Sequence, residues 1–142
     1  FTLLSILNNI CRRLLYALPT AIDAMMHNQE FVCKGPNNFQ DYIYIEDAAE
    51  ATIRIVCSDY CGIVNIGSGH PISMRDVFTL LAARLETADI LSFENETDPG
   101  YKVVADTSIL NGKLGFLPQI SFEQGLSQTV QWWKNEQKEG RL

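Results

Sequence analysis

An α/β fold is predicted by three observations: strand-like and helix-like stretches alternate along the chain, two helix starts carry capping patterns, and 46% of the 142 residues are hydrophobic. That content fills one core with little left for a second, so one domain is expected at residues 19–135. A lead-in of uncertain form is expected at 1–18, and a polar tail at 136–142 that frays from about Lys134 onward. The chain opens on Phe1 instead of methionine, so upstream sequence is expected.

The elements follow in order. Pro19 suits the first turn of a helix, where its missing N–H costs nothing, and Ile22, Met25 and Met26 then share one face as far as about Asn28. Phe31-Val32-Cys33-Lys34 reads as a short strand stopped by Gly35-Pro36-Asn37-Asn38, and Asp41-Tyr42-Ile43-Tyr44-Ile45 as a second strand. Glu46 and Asp47 place negative charge at the start of a helix to about Cys57, with Ala48, Ala51, Thr52 and Ile55 turned inward. Gly62-Ile63-Val64-Asn65-Ile66 reads as a buried strand. Ser73 and Asp76 open the most regular helix, carried by Met74, Val77, Phe78, Leu81 and Leu85. Short strands are expected near 90–93 and 102–104, then a helix capped by Asp106 and ended near Gly115. Ser121 and Gln124 form a second capping box, opening a helix whose Phe122, Leu126, Val130 and Trp133 face inward.

Charge and composition exclude several functions. Eleven basic against seventeen acidic residues give a net charge of −6, the wrong sign for a surface that tracks phosphates, so no nucleic-acid partner is expected. No apolar run reaches the roughly 20 residues of a membrane span, because Asn8, Asn9, Arg12 and Arg13 interrupt the first one. A soluble, cytoplasmic protein is expected. Among Cys11, Cys33, Cys57 and Cys61 only the last two are close, and their spacing matches no common zinc motif; no metal is expected and the thiols read as buried or inert.

Chemistry is sparse. Ile66-Gly67-Ser68-Gly69-His70 is the one glycine-rich turn, but it lacks the third glycine of a dinucleotide fingerprint and lies too far ahead of Ser73, so it reads as a strand-exit loop. A Tyr with Lys four residues later would make a hydride-transfer acid/base pair. Tyr16, Tyr42, Tyr44, Tyr60 and Tyr101 are followed at that distance by Thr20, Glu46, Ala48, Val64 and Ala105, and no pair exists. The carboxylates Glu46, Asp47 and Glu50 read as helix-start charge, and Trp132-Trp133 as one core ring and one partly exposed ring.

In order and spacing, Phe31-Val32-Cys33 with Gly35, the run from Gln40 through Asp41-Tyr42-Ile43-Tyr44-Ile45-Glu46-Asp47-Ala48-Ala49-Glu50-Ala51, and Val64-Asn65-Ile66-Gly67-Ser68-Gly69 with Pro71-Ile72-Ser73 resemble the extended short-chain dehydrogenase/reductase family. They are similar to its NAD-dependent epimerase/dehydratase branch, which acts on nucleotide sugars. Val104-Ala105-Asp106-Thr107-Ser108, Leu114-Gly115-Phe116-Leu117-Pro118, 120–126 and 129–133 resemble the same family's C-terminal end. The resemblance implies the C-terminal, substrate-binding portion of an incomplete Rossmann-type architecture. It further implies a missing N-terminal Rossmann half that holds NAD or NADP and the catalytic Tyr-Lys pair, so that this chain is not catalytic alone. A homodimer is a further implication, since family members often pair through helices of that half.

The resemblance also implies site residues. Phe31 and Val32 match the strand beside the nucleotide base, and Asn65 a position at or next to the diphosphate. Gln40 stands where the family commonly has an arginine whose fork grips the pyrophosphate, and 94–99 lacks the second family arginine. Lys34 and Lys102 are the cations expected to compensate in part. The alternative is a non-catalytic binding or interaction module, or a degenerate remnant, that keeps the fold.

Overall fold

The computed structural model describes residues 17–141. The expectations for 1–16 and for Cys11 lie outside the described residues.

Helix α1 (Ala17–Met26) buries Leu18, Ala21, Ile22 and Met25, positions three and four apart that form one stripe. The chain leaves it through Asn28 at φ +54 and enters strand β1 (Phe31–Cys33). Strand β2 (Phe39–Asp41) follows the turn at 34–38. Helix α2 (Ile45–Val56) then begins at the residue expected to end a strand. Of the strand expected at 41–45, Asp41 therefore lies in β2, which begins at Phe39, and Ile43 keeps only a bridge. Side-chain demand explains the change: the Asp41 carboxylate collects the backbone N–H groups of Ser68, Gly69 and Ala105, which draws the chain inward at that point.

Within α2, Ala48 and Ala51 face inward as expected, but Thr52 does not. Its hydroxyl donates back to the Ala48 carbonyl at 2.8 Å, which suits a solvent-side position, and the inward place is taken by Asp47. That carboxylate accepts from Gln119 N and from Ile120 N at 2.9 Å, so it is buried with its hydrogen bonds made.

No strand forms at 62–66. The segment has no ladder partner among the described residues, and Ile63 is 89% exposed. Apolar, β-branched composition favours a strand only when an edge is there to receive it. Strand β3 (Pro71–Ser73) does find one, pairing antiparallel with β2 so that Gln40 lies opposite Ile72. Helix α3 (Met74–Leu85) starts with Ser73 accepting from Asp76 N at 3.0 Å and ends on Glu86 in the left-handed region. A single 3-10 turn at Ala88–Ile90 leads into strand β4 (Leu91–Phe93), which runs parallel to β1. The strand expected at 102–104 is reduced to one bridge from Lys102 to Phe39.

Helix α4 (Ser108–Gly112) is a short one. Asp106 accepts from Ser108 N at its start, although Thr107 holds the cap position. Helix α5 (Phe122–Lys138) opens on the complete Ser121/Gln124 capping box and continues through the stretch from Lys134 expected to fray. Trp132 and Trp133 meet edge to face at 6.1 Å, both half-buried, with Trp133 against the core.

Two apolar clusters result. The larger joins α1, α3 and α5 with Cys33 of β1, and its fully buried members include Phe78, Leu81 and Leu126. Each such side chain contributes roughly 1.5–3 kcal/mol by leaving water. The smaller holds Ile43, Ala48, Ala51, Leu110 and Phe116, with Val64 and Ile66 of the unpaired segment half-buried against it. Among the described residues no helix is long and apolar enough to cross a membrane, and no group of His, Cys, Asp and Glu is arranged to hold a metal.

Candidate functional site

A cavity of about 530 Å³ opens where α1, β1 and the first turns of α3 meet. Its walls include Phe31, Val32 and Cys33 from β1, Lys34, Gly35 and Asn38 from the following turn, Met74 and Phe78 from α3, and Tyr101. Three of the six sequence-predicted site residues, Phe31, Val32 and Lys34, are thus brought together. The rings of Phe31 and Phe78 stand 4.7 Å apart and tilted by 53°, an aromatic pair in which the buried Phe78 backs the half-buried Phe31.

Gln40 lies behind the wall. It is 3% exposed and donates from Nε2 to the Tyr101 hydroxyl at 3.3 Å, so it reaches the cavity only through that phenol. Asn65 is elsewhere: its amide donates to the Asp106 carbonyl at 3.2 Å, beside the smaller cluster. Lys102 is exposed, next to Tyr101 in the chain but not in the cavity wall. A second depression of about 660 Å³, between β3 and the start of α5, contains none of the six.

Sequence reasoning missed Tyr101. Its backbone is fixed at both polar groups, with N donating to Asn38 Oδ1 at 3.1 Å and O accepting from Phe39 N at 2.7 Å. Gly100 before it has φ +71 and packs so closely on the Asn37 carbonyl that a Cβ would sit 2.4 Å from that oxygen; no other residue fits. Asn37 in turn donates to the carbonyls of Glu96 and Asp98. The available signal was this turn chemistry at both ends, Asn37-Asn38 and Asp98-Pro99-Gly100.

Among the described residues the cavity wall carries a single charge, that of Lys34. Arg75, on the first turn of α3, is engaged by Glu96 at 2.7 Å and stacks 4.3 Å over the Phe93 ring. Burial pushes the Cys33 thiol up from its ordinary value, with the Gly35 backbone and the Arg75 charge acting in the opposite direction. It is an apolar wall element at neutral pH. Cys57 and Cys61, by contrast, are exposed free thiols.

The glycine-rich turn is closed to an outside anion. Ser68 N and Gly69 N both point at the Asp41 carboxylate at 2.9 Å, and a Cβ on Gly67 would meet Asp41 Oδ2 at 2.8 Å. A cradle of backbone donors exists here, and an internal carboxylate fills it. These residues do not fit the pyrophosphate of a dinucleotide.

No protein-family model matches the chain. The UDP-glucuronate 4-epimerase of Thermodesulfobacterium geofontis is 33% identical over 97 residues, 67% of this chain and 30% of its own length. The solved UDP-N-acetylglucosamine 4-epimerase of Methanobrevibacter ruminantium, in complex with UDP-N-acetylmuramic acid, superposes with a TM-score of 0.71 at 30% identity over 84% of this chain and 39% of that one. The dTDP-glucose 4,6-dehydratase of Bacillus anthracis, solved with NAD, shares the fold at a TM-score of 0.71 and 23% identity, over 85% of this chain and 40% of that one. By sequence and fold, the chain belongs with the extended short-chain dehydrogenase/reductase family. Its homologues are nucleotide-sugar epimerases and dehydratases, and the matched region is consistent with their C-terminal portion. The chain spans about a third of the length of the curated relatives it matches.

Proposed function

We propose that this chain forms the nucleotide-sugar side of an NAD(P)-dependent epimerase, dehydratase or reductase, whose cofactor and catalytic Tyr-Lys pair are held by residues outside this sequence. The observation that carries the reading is the gathering of Phe31, Val32, Lys34 and Tyr101 on one cavity of about 530 Å³, in a fold shared with an epimerase solved around a UDP-sugar. A cavity of that size suits a small ligand, with apolar side chains for a base and a few polar groups for orientation. Asn65 and Lys102 lie outside this wall.

No dinucleotide fingerprint occurs in the sequence, and the closed turn at Gly67 to Gly69 supports assigning the cofactor elsewhere. A non-catalytic binding module is the second reading, and the replacement of a cation by the buried, neutral Gln40 is what favours it. Titrating uridine, thymidine, cytidine and guanosine diphosphates into the chain while following the thermal midpoint tests the proposal. A rise for one base supports it, whereas a folded sample indifferent to all four points to the module.

A further inference from the structure

Resting on the nucleotide-sugar reading of the cavity, we propose that Asn38 is a binding residue of this site: its amide nitrogen donates to an oxygen of the ligand, either a carbonyl of the base or an oxygen of the phosphates.

Every other polar group of Asn38 is committed. Its main-chain N donates to the Gly35 carbonyl at 3.1 Å and its carbonyl accepts from Met74 N at 2.8 Å, which ties the turn after β1 to the start of α3. Its side-chain oxygen accepts from Tyr101 N at 3.1 Å. That contact decides which way the amide faces, because the opposite placement would set two N–H donors against each other. Nδ2 therefore points away from the Tyr101 main chain. It lies over Gly35, where a Cβ would sit 2.3 Å from it, so the missing side chain at 35 is what leaves room for the amide. Gly35 and Asn38 both line the cavity, and Nδ2 has no hydrogen-bond partner among the described residues.

An amide held in this way can only donate. A ligand group that brings an acceptor gains a hydrogen bond with little rotamer freedom to lose, whereas a group that brings a second donor finds no partner. Lys34, on the same turn, is likewise a donor with no acceptor capacity in its side chain. The Lys34 carbonyl accepts from Asn95 Nδ2 at 3.0 Å, so the turn is anchored at that end as well. The group received here is therefore an oxygen acceptor. A nucleotide offers such oxygens on its base and on its phosphates, and the same nitrogen serves either.

The test is calorimetric titration of the 142-residue chain with uridine, thymidine, cytidine and guanosine diphosphates, in the wild type and in Asn38→Asp. Aspartate keeps an oxygen for Tyr101 N, so the thermal midpoint should stay within about 2 °C, while the donor becomes a negatively charged oxygen. Affinity for the preferred diphosphate should fall by about tenfold or more, and at about 0.5 M salt a loss of about fivefold should persist, the scale of one hydrogen bond. Gly35→Ala, which displaces the amide without adding charge, should weaken the same ligand by about fivefold. An equal loss for every diphosphate that binds places the partner oxygen on the phosphates. A loss that differs between uridine and cytidine diphosphates, whose bases differ by a carbonyl against an amino group, places it on the base. Should Asn38→Asp fail to fold, Gly35→Ala decides alone. Wild-type affinity in either folded variant, or a loss in Asn38→Asp that salt abolishes, overturns this inference and leaves the nucleotide-sugar reading standing. No binding of any nucleotide by the folded wild type overturns both.

Discussion

The two apolar clusters obey the same rules and differ in completeness. The larger is enclosed by α1, α3 and α5, and its buried residues touch one another across all three helices. The smaller rests on α2 and α4, and the elements beside it carry Ile53, Val56 and Ile63 with 58%, 77% and 89% of their surface exposed. One cluster positions a cavity; the other presents an apolar flank and an extended segment without a ladder partner among the described residues. The lesson is that local sequence signals specify structure where the partners are near, and fail where a strand depends on a distant edge.

Truncation should separate the two most strongly. Phe78→Ala, in the larger cluster, should cost about 4 kcal/mol in urea denaturation, and Phe116→Ala about 3 kcal/mol, since the neighbours of Phe116 have more room to collapse. Equal losses would mean the smaller cluster is as well enclosed as the larger. Next come the buried carboxylates that tie loops to each cluster. Asp41→Ala strands three backbone donors and should cost about 3 kcal/mol, whereas Asp47→Ala strands two and should cost about 2 kcal/mol. Removal of the α5 cap by Ser121→Ala should cost about 1 kcal/mol, visible as a lower denaturation midpoint with an unchanged slope. Smallest of all, Ile63→Ser should change stability by less than about 0.5 kcal/mol; a larger loss would place Ile63 in a contact that its exposure denies.

These contrasts also show what was legible in the sequence. Helices α3 and α5 were readable because their caps, Ser73 with Asp76 and Ser121 with Gln124, act within three residues of the apolar stripes they open. β1 was readable because a strong turn stops it. The segment at 62–66 was misread because composition states a preference for extended backbone without naming a partner. Asp47 was expected outside because charge argues for exposure, while its hydrogen bonds to 119–120, more than 70 positions away, hold it inside; Thr52 was expected inside from helical spacing, while its hydroxyl turns back to the Ala48 carbonyl. Phe31, Val32 and Lys34 could be placed together as neighbours on one short stretch. Tyr101 could not, because its tie to Gln40 spans 61 positions and no periodicity registers such a pair.

The carboxylate of Asp41 has a kinetic meaning beyond its place in the core. It joins residues separated by 27 and 64 positions, and loops of that length must close before either contact can form. A clasp that closes such loops is expected to form after the folding barrier, so that its strength is felt on the way out. Asp41→Ala should therefore hasten unfolding severalfold while leaving the refolding rate nearly unchanged. One buried acid would set how long the native chain persists, and have almost no say in how quickly it arrives.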